Sequence, residues 1–371
     1  MRFSLRVNND LPAAQLAELA VLAEQVGFDQ LWVSNDLFLR SAPVLVGLLA
    51  ARTSRLQLGI AVMNPYSVHV SELAMVAATA QEASQGRFLL GIGAGSEQFL
   101  GWAGIARDHP LARTQESVAT LRHLLGHPDV DPGLLPGWAG NTQGSPGNSQ
   151  GMLQVPVEVP VPVYVGAMGP KMLAMAGRCA DGALPLLYPP EHYPTARDQV
   201  LAGLIGPAGS ADADSGAGSK RHEGLGRAER FDLPACFWVS VGPDRAAGRA
   251  ALAQKLAYYG PSISPALLSR VGLTPGDFAP AAALAQQGLP AWSLVDDRML
   301  ALGISGSAAD VVERCRGLTA LGAEHLSFGP PLGPDPLAAV AVLGTEVLPA
   351  LRETGCAATG MDDERAPDDR A

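Results

Sequence analysis

Only four of the 371 residues are cysteines, at 179, 236, 315 and 356. No CxxC pair or framework spacing joins them, which argues against a disulfide scaffold or a zinc site and fits a reducing cytoplasm. Long hydrophobic runs are missing too. The most apolar windows, such as 43–51, fall far short of the roughly 20 residues needed to span a bilayer. The opening MRFSLRVNND lacks the charged segment, apolar stretch and small-residue cleavage site of a secretory leader. Basic residues are in deficit, 26 Lys and Arg against 36 Asp and Glu, and the balance of −10 repels a polyanionic nucleic acid. The 42 Gly and 30 Pro follow no triplet period, which excludes collagen. Small molecules, with no nucleic acid and no membrane, are the expected partners.

With 47% hydrophobic residues, the chain can bury a large core. Residues 3–7 alternate and stop at Asn8-Asn9-Asp10. Beyond Pro12, Leu16, Leu19, Ala20, Ala23 and Val26 recur at helical spacing until Gly27. The same strand-then-helix order predicts strands at 30–34, 56–63 and 87–92 and helices from Ser41 to Arg52, at 72–84 and at 113–125. Periodicity then lapses over 126–162, which reads as a long excursion from the scaffold. It resumes with strands at 163–165 and 182–187, each followed by a helix, at 171–178 and 191–204. Residues 206–230, poor in large apolar side chains, are expected to form a mobile insertion. A seventh strand at 235–241 precedes a helix at 244–258, helical inserts occupy 261–306, and an eighth strand at 324–328 precedes a helix at 336–351. The predicted fold is α/β, a TIM (β/α)₈ barrel, as a single domain over 1–354 with a disordered tail at 355–371. An open doubly wound sheet would take six or seven strands, but eight consecutive units favour closure, which leaves no exposed parallel edge.

In such a barrel the chemistry lies where strands run out into loops. Ser34-Asn35-Asp36 follows strand two, as a turn and cap or as a ligand contact. Gly59 to Tyr66 follows strand three; its glycine marks a bulge or a close approach, and Asn64-Pro65 turns the chain out of the sheet. Gly91-Ile92-Gly93-Ala94-Gly95-Ser96 looks like a dinucleotide fingerprint but carries Ser at the sixth position, and no helix is expected directly after it. What remains is a turn whose amides can approach a flat or anionic ligand. Gly166 to Lys171 joins strand five to a helix opening near Pro170, where free amides and the positive helix end suit a phosphate and Lys171 adds charge. Gly329 to Pro334 is a rigid turn that walls a pocket or positions the last helix. Gly147 to Gly151 matches GxSxG without the strand and helix a nucleophile elbow needs. His123 and His127 are split by Gly126 and lack an intervening Glu, so they read as helix-end residues rather than metal ligands, and His69 reads as structural.

Taken together and in this order, LWVSND, LGIAVMNPY, GRFLLGIGAGS, VPVYVGAMGPKMLAMAGRCADGALPL and GPPLGPDP resemble the luciferase-like monooxygenase superfamily. Within it they resemble the F420-dependent reductases, the branch that includes methylenetetrahydromethanopterin reductase. The resemblance covers most of residues 1–355. It implies a flavin or the deazaflavin F420 at the C-terminal face of the barrel, its ring against a bulge in strand three. That bulge commonly carries a non-prolyl cis peptide, by position Ala61-Val62, with Asn64 beside it. The phosphate contacts map onto Ala167, Met168, Gly169 and Pro170, and Ala94, Gly95 and Ser96 border the ring and its side chain. Where relatives often have Asp-His after strand two this chain has Asn35-Asp36, and where they often have Asp or Glu after the glycine turn it has Ser96.

The function expected is hydride transfer between F420 and an unidentified small organic substrate, with Asn35 and Asp36 near the reacting centre. The protein's part is to orient the cofactor and exclude competing reactions. FMN-dependent monooxygenation on the same scaffold is the alternative, followed by a non-catalytic flavin-binding protein and a cofactor-free barrel hydrolase. Relatives are often dimers, so a cytoplasmic homodimer is expected.

Overall fold

The computed structural model describes residues 1–130, 135, 152–185, 189–205 and 229–357, the last four as backbone only. Its first half alternates strand and helix: β1 (Arg2–Val7), α1 (Ala13–Gln25), β2 (Gln30–Val33), α2 (Ala42–Ala50), β3 (Gln57–Met63), α3 (Val70–Ala83) and β4 (Phe88–Ile92). After β4 come α4 (Glu97–Trp102) and α5 (Pro110–Leu124), then β5 (Val163–Gly166), α6 (Pro170–Cys179), β6 (Gly182–Leu184), α7 (Tyr193–Ile205) and β7 (Ala235–Val241). A long helix, Arg245–Tyr259, short helical turns, β8 (Ile304–Gly306), the helix Ala308–Ala320 and β9 (His325–Leu332) complete the scaffold.

All strand pairs are parallel, in the order β6-β5-β4-β3-β2-β1-β9-β7-β8. The ring closes through Asp232. Gly182 bridges to it, its carbonyl accepts the Ala183 amide at 3.0 Å and its own amide donates to Asp181 at 3.1 Å. The eight strands expected from the sequence thus form the barrel, and β8 is a short addition against the end of β7.

Two cores follow from this closure. The larger lies between strands and helices and includes Phe3, Leu5, Leu31, Leu58, Ile60 and Leu90. A smaller one fills the barrel itself, with Trp32, Leu89, Tyr164, Leu184 and Cys236 beneath Ala61 and Val62. Because both faces of each strand are buried, the strands read as continuous apolar runs.

Four expectations are corrected. Strand nine runs on to Leu332, because Gly329 and Leu332 still pair with β7 beyond the point where the glycine and prolines signal a turn. A helix does follow Ser96 at once: its hydroxyl accepts the Phe99 amide at 3.4 Å and caps α4, a helix too short to show a period. The last helix is divided by a π-helical turn at Leu343–Val347 and continues to Ala357, past the expected start of the tail. Gly59 lies beside a side chain, not a backbone or ligand: a Cβ there would sit 2.2 Å from the Trp32 ring. The GxSxG segment, most of the excursion at 126–162, residues 206–228 and the end of the tail lie outside the described residues. Among the described residues no helix is long and apolar enough to cross a membrane.

Candidate active site

At the C-terminal ends of the strands opens a cavity of about 1110 Å³, large enough for a tricyclic ligand and more. Asn35, Asp36, Ala61, Val62, Asn64, Ala94, Gly95, Ser96, Ala167, Met168, Gly169 and Pro170 all line it. Loops from four strands, spread over 136 positions of sequence from 35 to 170, therefore meet at one site.

The floor is the end of β3. Its pairing with β4 slips between Ile60 and Met63, and the Ala61–Val62 peptide is cis, at the position the family pattern indicates. Gly91 of β4 and Gly93 just beyond it admit this bulge. A Cβ on Gly91 would stand 2.3 Å from the Ile60 carbonyl oxygen, and one on Gly93 would stand 2.8 Å from a Val62 methyl. Gly95, at φ +72°, turns the chain into the left-handed region that glycine enters without penalty. Asn64 is buried and organises the exit from β3, its Oδ1 accepting the amides of Tyr66 and Ser67 at 3.1 and 2.9 Å.

Also on the cavity wall, α6 begins at Pro170, with Gly169 as N-cap and no side chain satisfying its first amides. Nothing lies within 4 Å of a Cβ built on Gly169. Unpaired amides and the helix dipole favour an anion here, and Lys171 also lines the wall.

The third wall carries the titratable groups. Asn9, fully buried, holds the loop after β2: its Nδ2 donates to the carbonyls of Asp36 and Arg40 at 3.0 and 2.7 Å, and its Oδ1 accepts from Ser34 Oγ at 2.9 Å. Asp36 is thereby set opposite Tyr259, whose hydroxyl donates to Asp36 Oδ2 at 3.2 Å. Lys255, one helical turn before Tyr259, places its ammonium 4.2 Å from the Tyr259 ring centroid. Burial raises the Asp36 pKa, against the opposing effects of the Lys255 charge and the Tyr259 hydrogen bond. Burial also lowers Lys255, to about 8, and raises Tyr259. A carboxyl and an ammonium shifted toward each other's range at a pocket wall mark a site able to hold or move a proton.

Arg6, Lys255, Tyr258, Tyr259 and Trp238 also line the cavity, although the sequence reading had not singled them out. A charged side chain within a strand, Arg6 in RFSLRV, was the available signal for it. Pro330 reaches the cavity too, so the GPPLGP segment does wall the pocket.

The histidines lie elsewhere. His69 caps α3, its Nδ1 accepting the Ser71 amide at 3.3 Å, and His127 meets the Val161 carbonyl at 2.9 Å. A Ser–His–Asp chain does exist, with His325 Nε2 2.9 Å from Ser4 Oγ and Nδ1 3.0 Å from Asp232. It is buried near the N-terminal ends of the strands, and none of its three residues lines the large cavity. The triad connectivity therefore lacks access for a substrate.

Comparison with known proteins agrees with the geometry. The chain is 30% identical over 368 residues to 5,10-methylenetetrahydromethanopterin reductase of Archaeoglobus fulgidus, covering 95% of this chain and 100% of that protein. Among solved structures, the coenzyme F420 dependent tetrahydromethanopterin reductase of Methanopyrus kandleri superposes with a TM-score of 0.73 at 23% identity, over 94% of this chain and 99% of the other. An F420-dependent secondary alcohol dehydrogenase in complex with an F420–acetone adduct superposes at 0.67 with 18% identity, over 95% and 99%. Residues 2–325 match the model of the luciferase-like monooxygenase family, and the chain belongs to that family.

Proposed function

We propose that this protein is an oxidoreductase that transfers a hydride between the deazaflavin coenzyme F420 and a small organic substrate. The observation that carries the reading is that the β3 bulge and the open N-terminus of α6 line a single cavity. A flat ring system with an anionic tail needs both. The residues fit such a group: Gly91 and Gly93 let the bulge seat flush with the wall, and Gly169 leaves the helix start uncovered. Relatives named for F420 share the fold, and the full-length match to a methylenetetrahydromethanopterin reductase supports a reductase or dehydrogenase.

When bound, the deazaflavin supplies or accepts the hydride. Ala61 and Val62 would back its ring, with Asn64 fixing the loop beyond, while Ala94, Gly95 and Ser96 border it. The main chain of Ala167, Met168, Gly169 and Pro170, aided by Lys171, would hold the phosphate of the tail. Asn35 and Asp36 face the remaining space, where the substrate would lie. Asp36, its pKa raised by burial and its carboxylate hydrogen-bonded to Tyr259, would give or take the proton that accompanies the hydride.

Anaerobic titration of the purified chain with reduced F420 and with reduced FMN, followed by absorbance, tests this reading. Saturable F420 binding with turnover of a carbonyl or imine substrate is expected. Tight FMN binding without F420 binding would instead indicate a flavin monooxygenase on the same scaffold.

Residues 1–354 are read as one barrel domain with insertions. A cytoplasmic location is supported by the buried free thiols of Cys179, Cys236 and Cys315. A homodimer is supported by an apolar face in which Phe38 and Val44, 69% and 72% exposed, accompany Leu48 of α2 and Met75 of α3; sedimentation velocity measures it.

A further inference from the structure

Arg6, on β1, is a buried cation that lines the cavity, 7% exposed. Its Nε donates to Ser327 Oγ at 3.0 Å, and one terminal nitrogen donates to the Phe237 and Ser327 carbonyls at 2.8 and 3.3 Å. The other terminal nitrogen, Nη1, makes no hydrogen bond to any described residue. No ion pair among the described residues involves Arg6 or Lys255. A guanidinium withdrawn from water without a counter-charge is expensive, and proteins pair such groups. Both residues line the large cavity, and the charge of Arg6 is felt at the Lys255 ammonium. Lys255 itself rests on the Tyr259 ring and donates to no described acceptor. Two cations thus face one space with donors uncommitted.

We propose that Arg6 and Lys255 form an anion subsite, and that the substrate is an organic carboxylate whose negative group docks between them. This rests on the function proposed above and names its substrate class. The neighbouring acids select the class. Asp36 and Asp10 both act on the Lys255 ammonium, so a singly charged carboxylate meets less repulsion beside them than a dianionic phosphate ester. The neighbouring Trp238 and Ile263 are apolar, which suits an organic body rather than a free inorganic ion. Arg6 donates through its remaining nitrogen, Lys255 supplies a movable ammonium, and the reducible carbon is held away from them toward the β3 bulge.

Calorimetric titration of the cofactor-free chain with 3-phenylpropionate, 3-phenylpropionamide and 2-phenylethyl phosphate at neutral pH tests the subsite. The carboxylate is expected to bind about tenfold or more tighter than the amide, with an affinity that falls as salt is added. Lys255→Met, which keeps the stem and removes the charge, is expected to shrink that preference to about threefold or less. Arg6→Met should act likewise, and Lys255→Met carries the test if the Arg6 variant does not fold. Equal binding of acid and amide, no binding of the acid at millimolar concentration, a preference unchanged in Lys255→Met, or tighter binding of the phosphate overturns the proposal. F420 binding by the wild-type chain is measured separately. A chain that prefers the acid but takes no F420 refutes the cofactor reading alone, and one that takes F420 without preferring the acid refutes the subsite alone.

Discussion

Asp232 is where the barrel is fastened, and replacing it measures what that closure is worth. Its carboxylate, 3% exposed as a residue, accepts the Tyr164 hydroxyl at 2.9 Å, faces His325 Nδ1 at 3.0 Å and pairs with Arg2 at 2.7 Å. Its backbone carries the bonds that join β6 to the lead-in of β7. Asp232→Ala leaves two buried donors, on Tyr164 and His325, without an acceptor, at about 1–3 kcal/mol each. The Arg2 side chain is half exposed and adds about 0–1 kcal/mol. Release of the buried carboxylate offsets part of this, so a loss of about 3–5 kcal/mol is expected, against a total stability of about 5–15 kcal/mol for a typical domain. Asp232→Asn, which keeps one acceptor, should lose roughly half as much.

Urea unfolding followed by far-UV circular dichroism reads the effect as a lowered midpoint at unchanged slope. The pH dependence supplies a second readout. Burial by itself raises the Asp232 pKa, but His325, Arg2 and Tyr164 outweigh it and hold the group below its ordinary value. A depressed folded-state pKa contributes stability that is present above the unfolded value, about 3.9, and is lost as pH falls through the folded one. Asp232→Asn should therefore flatten the acid limb of the stability curve below about pH 4. A loss under about 1 kcal/mol for Asp232→Ala, with an unaltered acid limb, would refute the view that this cluster locks the ring.

Burial raises the Glu24 pKa, but the amides of Ser54, Arg55 and Leu56 that its carboxylate accepts together outweigh it and bring the value down to about 2; Glu24→Gln should lose about 1 kcal/mol at neutral pH after solvent screening. The wild-type contribution should fade between about pH 4.5 and 2, as stability-versus-pH curves of the two proteins will reveal. Gly59→Ala drives a methyl into the Trp32 ring, 2.2 Å away, and should destabilise by about 1–3 kcal/mol with altered tryptophan fluorescence. Gly93→Ala pushes on Val62 at 2.8 Å and should weaken F420 binding about tenfold or more while shifting the urea midpoint little. Tyr259→Phe removes the donor that lowers the Asp36 pKa, so the limb of the kcat/KM pH profile belonging to Asp36 should move to higher pH; an unmoved profile separates Asp36 from the proton transfer.

How much of this was legible in the sequence depended on whether the information was local. Strands such as LQLGIAVM and RFLLGI are buried on both faces and announce themselves as unbroken apolar runs, so eight barrel strands were countable. The cavity-lining loops were found because glycine, proline and asparagine end those runs where the barrel opens. Periodicity could not say which residues of a doubly buried strand point inward, since neither face alternates with solvent. Arg6 therefore passed as one polar position of the alternating segment RFSLRV, and Lys255 as part of the polar stripe of a helix. The Ser4–His325–Asp232 cluster joins positions separated by 321 and 93 residues, and only closure of the ring brings them together. The same geometry explains why the polar groups divide into two sets. Near the bottom of the barrel each donor meets an acceptor of the chain, and the result is a lock. Near the top, Arg6 and Lys255 keep donors that no described residue satisfies, and satisfying them is left to what the enzyme binds.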